Sequence, residues 1–302
     1  MMHSEPTDLE VTAFVAVEPL NFRRTFSLQN VGPFDPTASL SEFRLCKAFS
    51  SENGPCTVEI VPENGGASVR VWGSDCSEVL QLLQTGFARD DGYSAFAPEH
   101  PLVSRMHRRL TGLRLFPVPW LFDIACSMVL QQRVRFVDAA KSWRLIANKY
   151  GSKTSDGLSA FPSAGVVASM ESWQLEELGV DGKRTRTMIA LAREFKRRPL
   201  RIDTPFAEAR CMLQRIPGIG PWTAEYILGY GLADPNALPT GDLFLPHTVA
   251  HAFTGAMRGS DELMVEILEQ FLGQRFRVVR LIGEAGISVP RNYSPRAAKR
   301  IE

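Results

Sequence analysis

The sequence predicts an α+β chain in two unequal parts: an N-terminal domain with an antiparallel β-sheet and helices over residues 1–97, then an all-helical domain over 98–288. Two changes along the chain predict it. Before residue 80 apolar residues alternate with a period of two, and from Pro98 onward they recur at helical spacing. The acidic first third, with 6 basic and 14 acidic residues in 1–100, gives way to a basic middle, with 19 and 10 in 101–210.

The first domain opens with "VTAFVAV" and continues through "CTVEIV", the turn "ENGG" and the alternating "ASVRVWG", a hairpin that returns to a sheet. "SEVLQLLQTGF" reads as a helix packed on that sheet. In the second domain Leu121, Ile124, Ala125 and Met128 follow i, i+3, i+4, i+7, and Met188, Leu191, Ala192 and Phe195 repeat the pattern. Helices joined by short Gly/Pro links continue to about residue 285, and 289–302, rich in basic residues and poor in apolar ones, reads as a flexible tail.

With 302 residues, 44% apolar and 22% charged, the composition is that of a globular protein, and no apolar run is long enough to span a bilayer. The N-terminus has neither a basic start nor an apolar h-region, which predicts an intracellular protein, cytoplasmic or nucleoid-associated in a bacterium. The five cysteines form no C-x-x-C, and none follows Cys211, which excludes a four-cysteine iron–sulfur cluster in the last third. His247 and His251 are four apart as in a zinc helix, but no glutamate lies between them as in H-E-x-x-H, and we read the pair as chance. The basic middle suits a polyanion partner as well as it suits a solvated helical face.

The most informative stretch is "LQRIPGIGPWTAEYILGYG", 213–231, two helices joined by a turn with two glycines. Gly218 and Gly220 can take positive φ and let another backbone approach closely, and Pro221 suits the first turn of the second helix because its missing N–H is not needed there. Free N–H groups at that helix start, backed by the macrodipole, make a phosphate seat; an interhelical turn with glycine chosen only for its dihedrals would look the same.

"LQRIPGIGPWTAEYI", followed some twenty residues on by "ALPTGDLFL", resembles the helix-hairpin-helix DNA glycosylases, in particular the alkylbase (3-methyladenine) glycosylase II branch. "FDIACSMVLQQRVRFVDAAKSWRLIANKYG" and "FPSAGVVASMESWQLEELGVDGKRTRTMIALA" resemble that branch's preceding helices, so the likeness runs from about 87 to 285. It implies a helical domain in two lobes and a partner that is double-stranded DNA with damaged bases, bound by a monomer. It also implies that Gly218, Gly220, Trp222 and Thr223 contact DNA, and that the carbonyls of Gln214, Ile216 and Ile219 can hold a structural Na⁺ or K⁺; no other cofactor is implied.

Asp242 follows Gly241 at the start of a predicted helix, a placement that equally suits an N-cap. The resemblance makes it the catalytic aspartate: an anion near C1′ stabilises the positive charge that develops on the sugar as an N-glycosidic bond breaks. Where bifunctional members carry a lysine nucleophile after the hairpin this chain has Trp222, and no lysine lies between Lys196 and Lys299, so a monofunctional hydrolase is expected. A base turned out of the duplex would meet Trp222 and Tyr226 as pocket walls, whose electron-rich rings favour a cationic alkylated base. The resemblance adds Gln132 and Phe276 to the pocket, the latter standing where the branch usually has tryptophan. In "GLRLFPVPW", Leu115 or Phe116 is the candidate wedge for the gap left by the base, with core packing as the equal alternative. Two other functions compete: a noncatalytic DNA-binding protein that keeps the hairpin, and a glycosylase for oxidised or deaminated bases.

Overall fold

The computed structural model describes residues 10–289; the proposed tail falls almost wholly outside them. Five strands, β1 (Glu10–Ala16), β2 (Ala38–Leu40), β3 (Leu45–Ser50), β4 (Pro55–Glu63) and β5 (Gly66–Gly73), form one antiparallel sheet in the order β1-β5-β4-β3-β2. The alternation read from the sequence sets the register: Val69 and Val71 lie opposite Ile60 and Val58 on β4, and all four are fully buried. A short helix, α1 (Phe22–Thr25), follows β1, and α2 (Cys76–Ala88) covers the sheet with Val79, Leu83 and Phe87.

Eleven further helices follow among the described residues: α3 (Pro101–Arg109), α4 (Leu121–Leu130), α5 (Phe136–Tyr150), α6 (Ala164–Ala168), α7 (Ser172–Glu176), α8 (Gly182–Arg197), α9 (Phe206–Gln214), α10 (Pro221–Gly231), α11 (Leu245–Thr254), α12 (Asp261–Glu269) and α13 (Arg275–Glu284). They divide into two lobes because they close two apolar cores. One gathers α4 to α10 around Trp143 and Phe161, stacked at 3.9 Å, and Met188 and Leu191 from the predicted stripe on α8. The other joins α3 to α11, α12 and α13 through Val103, Val249, Met264 and Val278.

The sheet's own core is completed by residues from the helical part, Phe116, Val118, Trp120 and Ile124. Polar contacts fix that junction. Lys47 on β3 is buried against Asp123 on α4 at 2.8 Å and donates to Thr37 at 2.8 Å, while Trp120 Nε1 donates to Gln29 at 2.6 Å. Burial pushes the Asp123 carboxyl up, against the pull of the neighbouring Lys47 ammonium. A second buried pair, Asp91 with Arg277 at 2.9 Å, ties the segment after α2 to α13; Arg114 adds a bond to Asp91 at 3.0 Å.

Candidate active site

The hairpin sits where α9 meets α10. Gly218 takes φ +89, and a methyl group on it would lie 1.9 Å from Thr187 Oγ1 on α8, so glycine is required there by conformation and by space. Gly220 does not use that freedom: its φ is −95, ordinary extended backbone, and a methyl group on it would meet nothing within 4 Å. No neighbour within the chain demands glycine at 220. Its open face is the approach to the helix start, where the first helical bond runs from Ala224 N–H to the Gly220 carbonyl and the N–H groups ahead of it have no helical acceptor.

Gln132, in the turn after α4, is bonded to this hairpin. Its Nε2 donates to the Gly218 carbonyl at 3.0 Å and to Thr223 Oγ1 at 2.8 Å, which anchors the α4–α5 turn to the hairpin. Thr223 is buried with its hydroxyl so engaged, and only its backbone N–H is available for a phosphate. Beside Gln132, Arg133 is exposed at φ +56.

Asp242 lies on the other side of Trp222. Gly241, at φ +80, turns the chain so that Asp242 Oδ1 accepts the N–H groups of Phe244 and Leu245, both at 2.8 Å, at the start of α11. Oδ2 accepts Trp222 Nε1 at 2.7 Å and the Tyr226 hydroxyl at 3.1 Å. Four donors therefore fix the carboxylate, and it makes no ion pair among the described residues. Capping a helix and serving as a held anion are here one arrangement.

Trp222 and Tyr226 meet edge to face at 5.1 Å, and Tyr226 stacks on Tyr230 at 5.3 Å and 14°. Burial, then the neighbouring Tyr230 and the Asp242 charge, pushes the Tyr226 phenol well above its ordinary range, so it remains a protonated donor to Asp242. The sequence reading missed Tyr230, although 222, 226 and 230 follow one helix face at i, i+4, i+8.

Phe276 must be corrected. It is fully buried behind this row, packed edge-on to Tyr230 at 5.1 Å and filling the space that Gly229 leaves: a methyl group on Gly229 would lie 2.3 Å from the ring. It supports the aromatic face from beneath and lines no opening. Leu115 and Phe116 are likewise buried, Phe116 against Phe87 at 4.6 Å and Phe26 at 6.4 Å, so the wedge expectation fails and core packing holds. Two open surface hollows lie along α12, at Asp261, Val265 and Glu269, and beside Arg70 and Trp72; Asp242 lines neither.

The loop between α10 and Asp242 is fastened to α10 by a buried carboxylate. Glu225 Oε2 accepts the Leu238 N–H at 3.1 Å, while Arg210 on α9 bridges Glu225 at 2.6 Å and Asp234 at 2.9 Å. No motif marked these residues in the sequence.

No protein-family model matches the chain. It is 28% identical to a DNA-3-methyladenine glycosylase of Bacillus subtilis (strain 168) over 197 residues, 62% of this chain and 64% of that one. It is 30% identical to DNA-3-methyladenine glycosylase 2 of Escherichia coli (strain K12) over 148 residues, 48% of this chain and 50% of that one. The matched stretches thus span less than two thirds of these relatives' own length. Among solved structures, a 3-methyladenine DNA-glycosylase from Archaeoglobus fulgidus superposes with a TM-score of 0.73 over 91% of this chain and 97% of that one, at 20% identity, which shows a shared fold. An antiparallel sheet, a two-lobed helical part and the hairpin between α9 and α10 define a protein of the helix-hairpin-helix glycosylase fold. Both of the relatives it resembles in sequence are named 3-methyladenine DNA glycosylases, so its sequence likeness and its fold point to the same group.

Proposed function

We propose that this chain is a monofunctional DNA glycosylase: it turns an alkylated purine, of the 3-methyladenine or 7-methylguanine type, out of duplex DNA and hydrolyses its N-glycosidic bond, leaving an abasic site for base excision repair. The carrying observation is the Asp242 carboxylate, held by four donors and no cation, bonded directly to an aromatic row that starts in the first turn of the clamp helix.

The hairpin binds one backbone phosphate through the N–H groups at the start of α10, with Gly220 leaving room for it. The Ile216 carbonyl accepts the Ile219 N–H at 3.0 Å with one of its two lone pairs. The other, with the carbonyls of Gln214 and Ile219, suits a monovalent cation that would add positive charge beside the phosphate. Arg133, exposed on the turn tied to the hairpin by Gln132, takes the place given above to Leu115 and Phe116 and fills the gap in the duplex.

The extruded base lies against the ring faces of Trp222 and Tyr226, where a cationic ring gains ~0.5–2 kcal/mol over a neutral one. As the bond from C1′ to the base nitrogen breaks, its electron pair neutralises the ring charge, and the positive character left on the sugar faces Asp242. A water oxygen then bonds to C1′ and its proton passes to Asp242 or solvent. No lysine occupies the position of Trp222, so no Schiff base forms and the strand stays intact. Such work on genomic DNA places the protein inside the cell, at the nucleoid of a bacterium, acting as a monomer.

The test is base release from duplexes carrying 3-methyladenine, 7-methylguanine, hypoxanthine or 8-oxoguanine. Wild type is expected to release the two alkylated bases fastest, and Asp242→Asn to bind the same duplexes and release nothing. Full activity in Asp242→Asn would overturn the proposal.

A further inference from the structure

The segment between α1 and β2 carries a side chain that the fold does not account for. Phe34 is 81% exposed, yet its φ is +66, in the left-handed region where a bulky residue is disfavoured. The loop is fixed from beneath by buried Asp35. Its Oδ1 accepts Trp143 Nε1 at 2.8 Å, the Thr37 N–H at 2.9 Å and the Thr37 hydroxyl at 2.8 Å, and its Oδ2 accepts the Val31 N–H at 2.7 Å. Strain maintained by such support, beneath an exposed aromatic ring, points to use of that ring.

The surroundings identify the use. A methyl group on Gly32 would lie 3.1 Å from Ala140 Cβ and 3.3 Å from Phe136, so the loop lies against the first turns of α5. There Phe136 and Val137 are 49% and 62% exposed, among the exposed cations Arg133, Arg135 and Lys141. Asp138 is the one acid between 131 and 141, and it is already paired with Arg135 at 2.8 Å. The turn that opens this patch is the one Gln132 ties to the hairpin at Gly218 and Thr223. Exposed rings and positive charge thus lie on a loop and a helix start that lead into the turn tied to the hairpin.

We propose that Phe34, with Phe136, Val137 and Lys141, is a second seat for duplex DNA, engaging the groove and backbone on one side of the clamped phosphate. This rests on the reading of the hairpin as a DNA clamp. The cations neutralise phosphates, and the rings cover sugar and base edges that a point charge cannot hold. A protein partner would use the apolar residues alone and leave the cations without purpose.

Phe34→Gly is the informative variant, because glycine accepts φ +66 and the change relieves strain instead of creating it. Its melting temperature is expected to equal or exceed that of wild type, while affinity for an abasic-site duplex falls at least about fivefold, as for a lost aromatic contact. The loss should disappear when the duplex arm on one side of the lesion is cut short, and should persist when the other arm is shortened. Lys141→Gln should reduce the salt slope of binding by about one ion. Gly220→Asp at the hairpin separates the two claims. If it abolishes binding while Phe34→Gly binds every duplex as wild type does, the second seat is refuted, a protein partner becomes the occupant, and the clamp stands. If wild type binds no duplex at all, the reading of the hairpin fails and this proposal with it.

Discussion

Trp222 Nε1 donates to Asp242 Oδ2 at 2.7 Å, so a residue in the first turn of α10 holds the carboxylate that the proposed reaction needs, and in that proposal its ring is also a wall for the base. Trp222→Phe keeps an aromatic ring and removes that donor. It is expected to lower kcat about tenfold, the worth of a charge-assisted bond of ~1.5 kcal/mol, and to leave duplex affinity within twofold or so of wild type. Single-turnover release, measured beside a binding titration, makes the separation.

The two hairpin glycines should respond oppositely. Gly218→Ala places a methyl group 1.9 Å from Thr187 Oγ1 at φ +89 and should destabilise the fold by about 2 kcal/mol or more, partly restored by Thr187→Ala. Gly220→Ala enters open space at φ −95 and should leave thermal stability unchanged while weakening DNA binding, because only a bound phosphate meets the new methyl group. Unchanged binding in Gly220→Ala would move the clamp elsewhere.

Glu225 and Arg210 fasten the loop that leads to Asp242, and any effect on base release is expected to pass through that loop. Glu225→Gln keeps an acceptor for Leu238 N–H but weakens the bridge to Arg210. It is expected to reduce kcat about three- to tenfold with Kd for DNA unaltered, and Glu225→Ala to reduce stability by ~3 kcal/mol or more as Arg210 and Leu238 lose their partner. A purely structural role would lower stability in both variants and leave kcat per folded molecule unchanged.

Acid stability should report Asp91. Burial alone would raise its pKa, but the Arg277 charge and hydrogen bond, the Leu115 N–H and Arg114 outweigh it and hold the carboxyl below its ordinary value. A depressed folded pKa gives stability that is fully present above the unfolded value of about 3.9 and is lost as pH falls through the folded one. The melting temperature should therefore drop below about pH 4, and Asp91→Asn should flatten that limb while costing ~3–5 kcal/mol at neutral pH by stranding Arg277.

The Tyr226 phenol, raised first by burial, then by Tyr230 and the Asp242 charge, keeps its proton through the neutral range and beyond the usual tyrosine value near 10. The pH profile of base release should thus show no loss from this group up to about pH 10, and Tyr226→Phe should lower the rate severalfold without reshaping that limb. A new alkaline limb in wild type that vanishes in Tyr226→Phe would contradict the assignment.

What could be read from the sequence was local. Alternating Val69 and Val71, the i, i+3, i+4 stripes on α4 and α8, and the helix break at Pro217–Gly218 are dictated by neighbours in the chain, and the structure follows them. The errors concern long-range packing. Phe276 and Phe116 are apolar in any reading, but whether a ring faces a cleft or a core depends on Gly229 and on Phe26 and Phe87, far away in sequence. The bonds of Gln132 were hidden for the same reason: its partners Gly218 and Thr223 lie some ninety residues on. The Arg210, Glu225 and Asp234 bridge has no motif at all, since charged residues at those spacings are common on solvated faces.

The two oxygens of Asp242 belong to different halves of the helical part: Oδ2 is held by side chains of α10, and Oδ1 by backbone at the start of α11, whose apolar residues close the other core. The carboxylate therefore joins the two lobes, beside the packing of Phe276 from α13 against Gly229 and Tyr230 of α10. Any shift of one lobe against the other would stretch the bonds to this one side chain, so base release is expected to fade on warming below the temperature at which the chain unfolds.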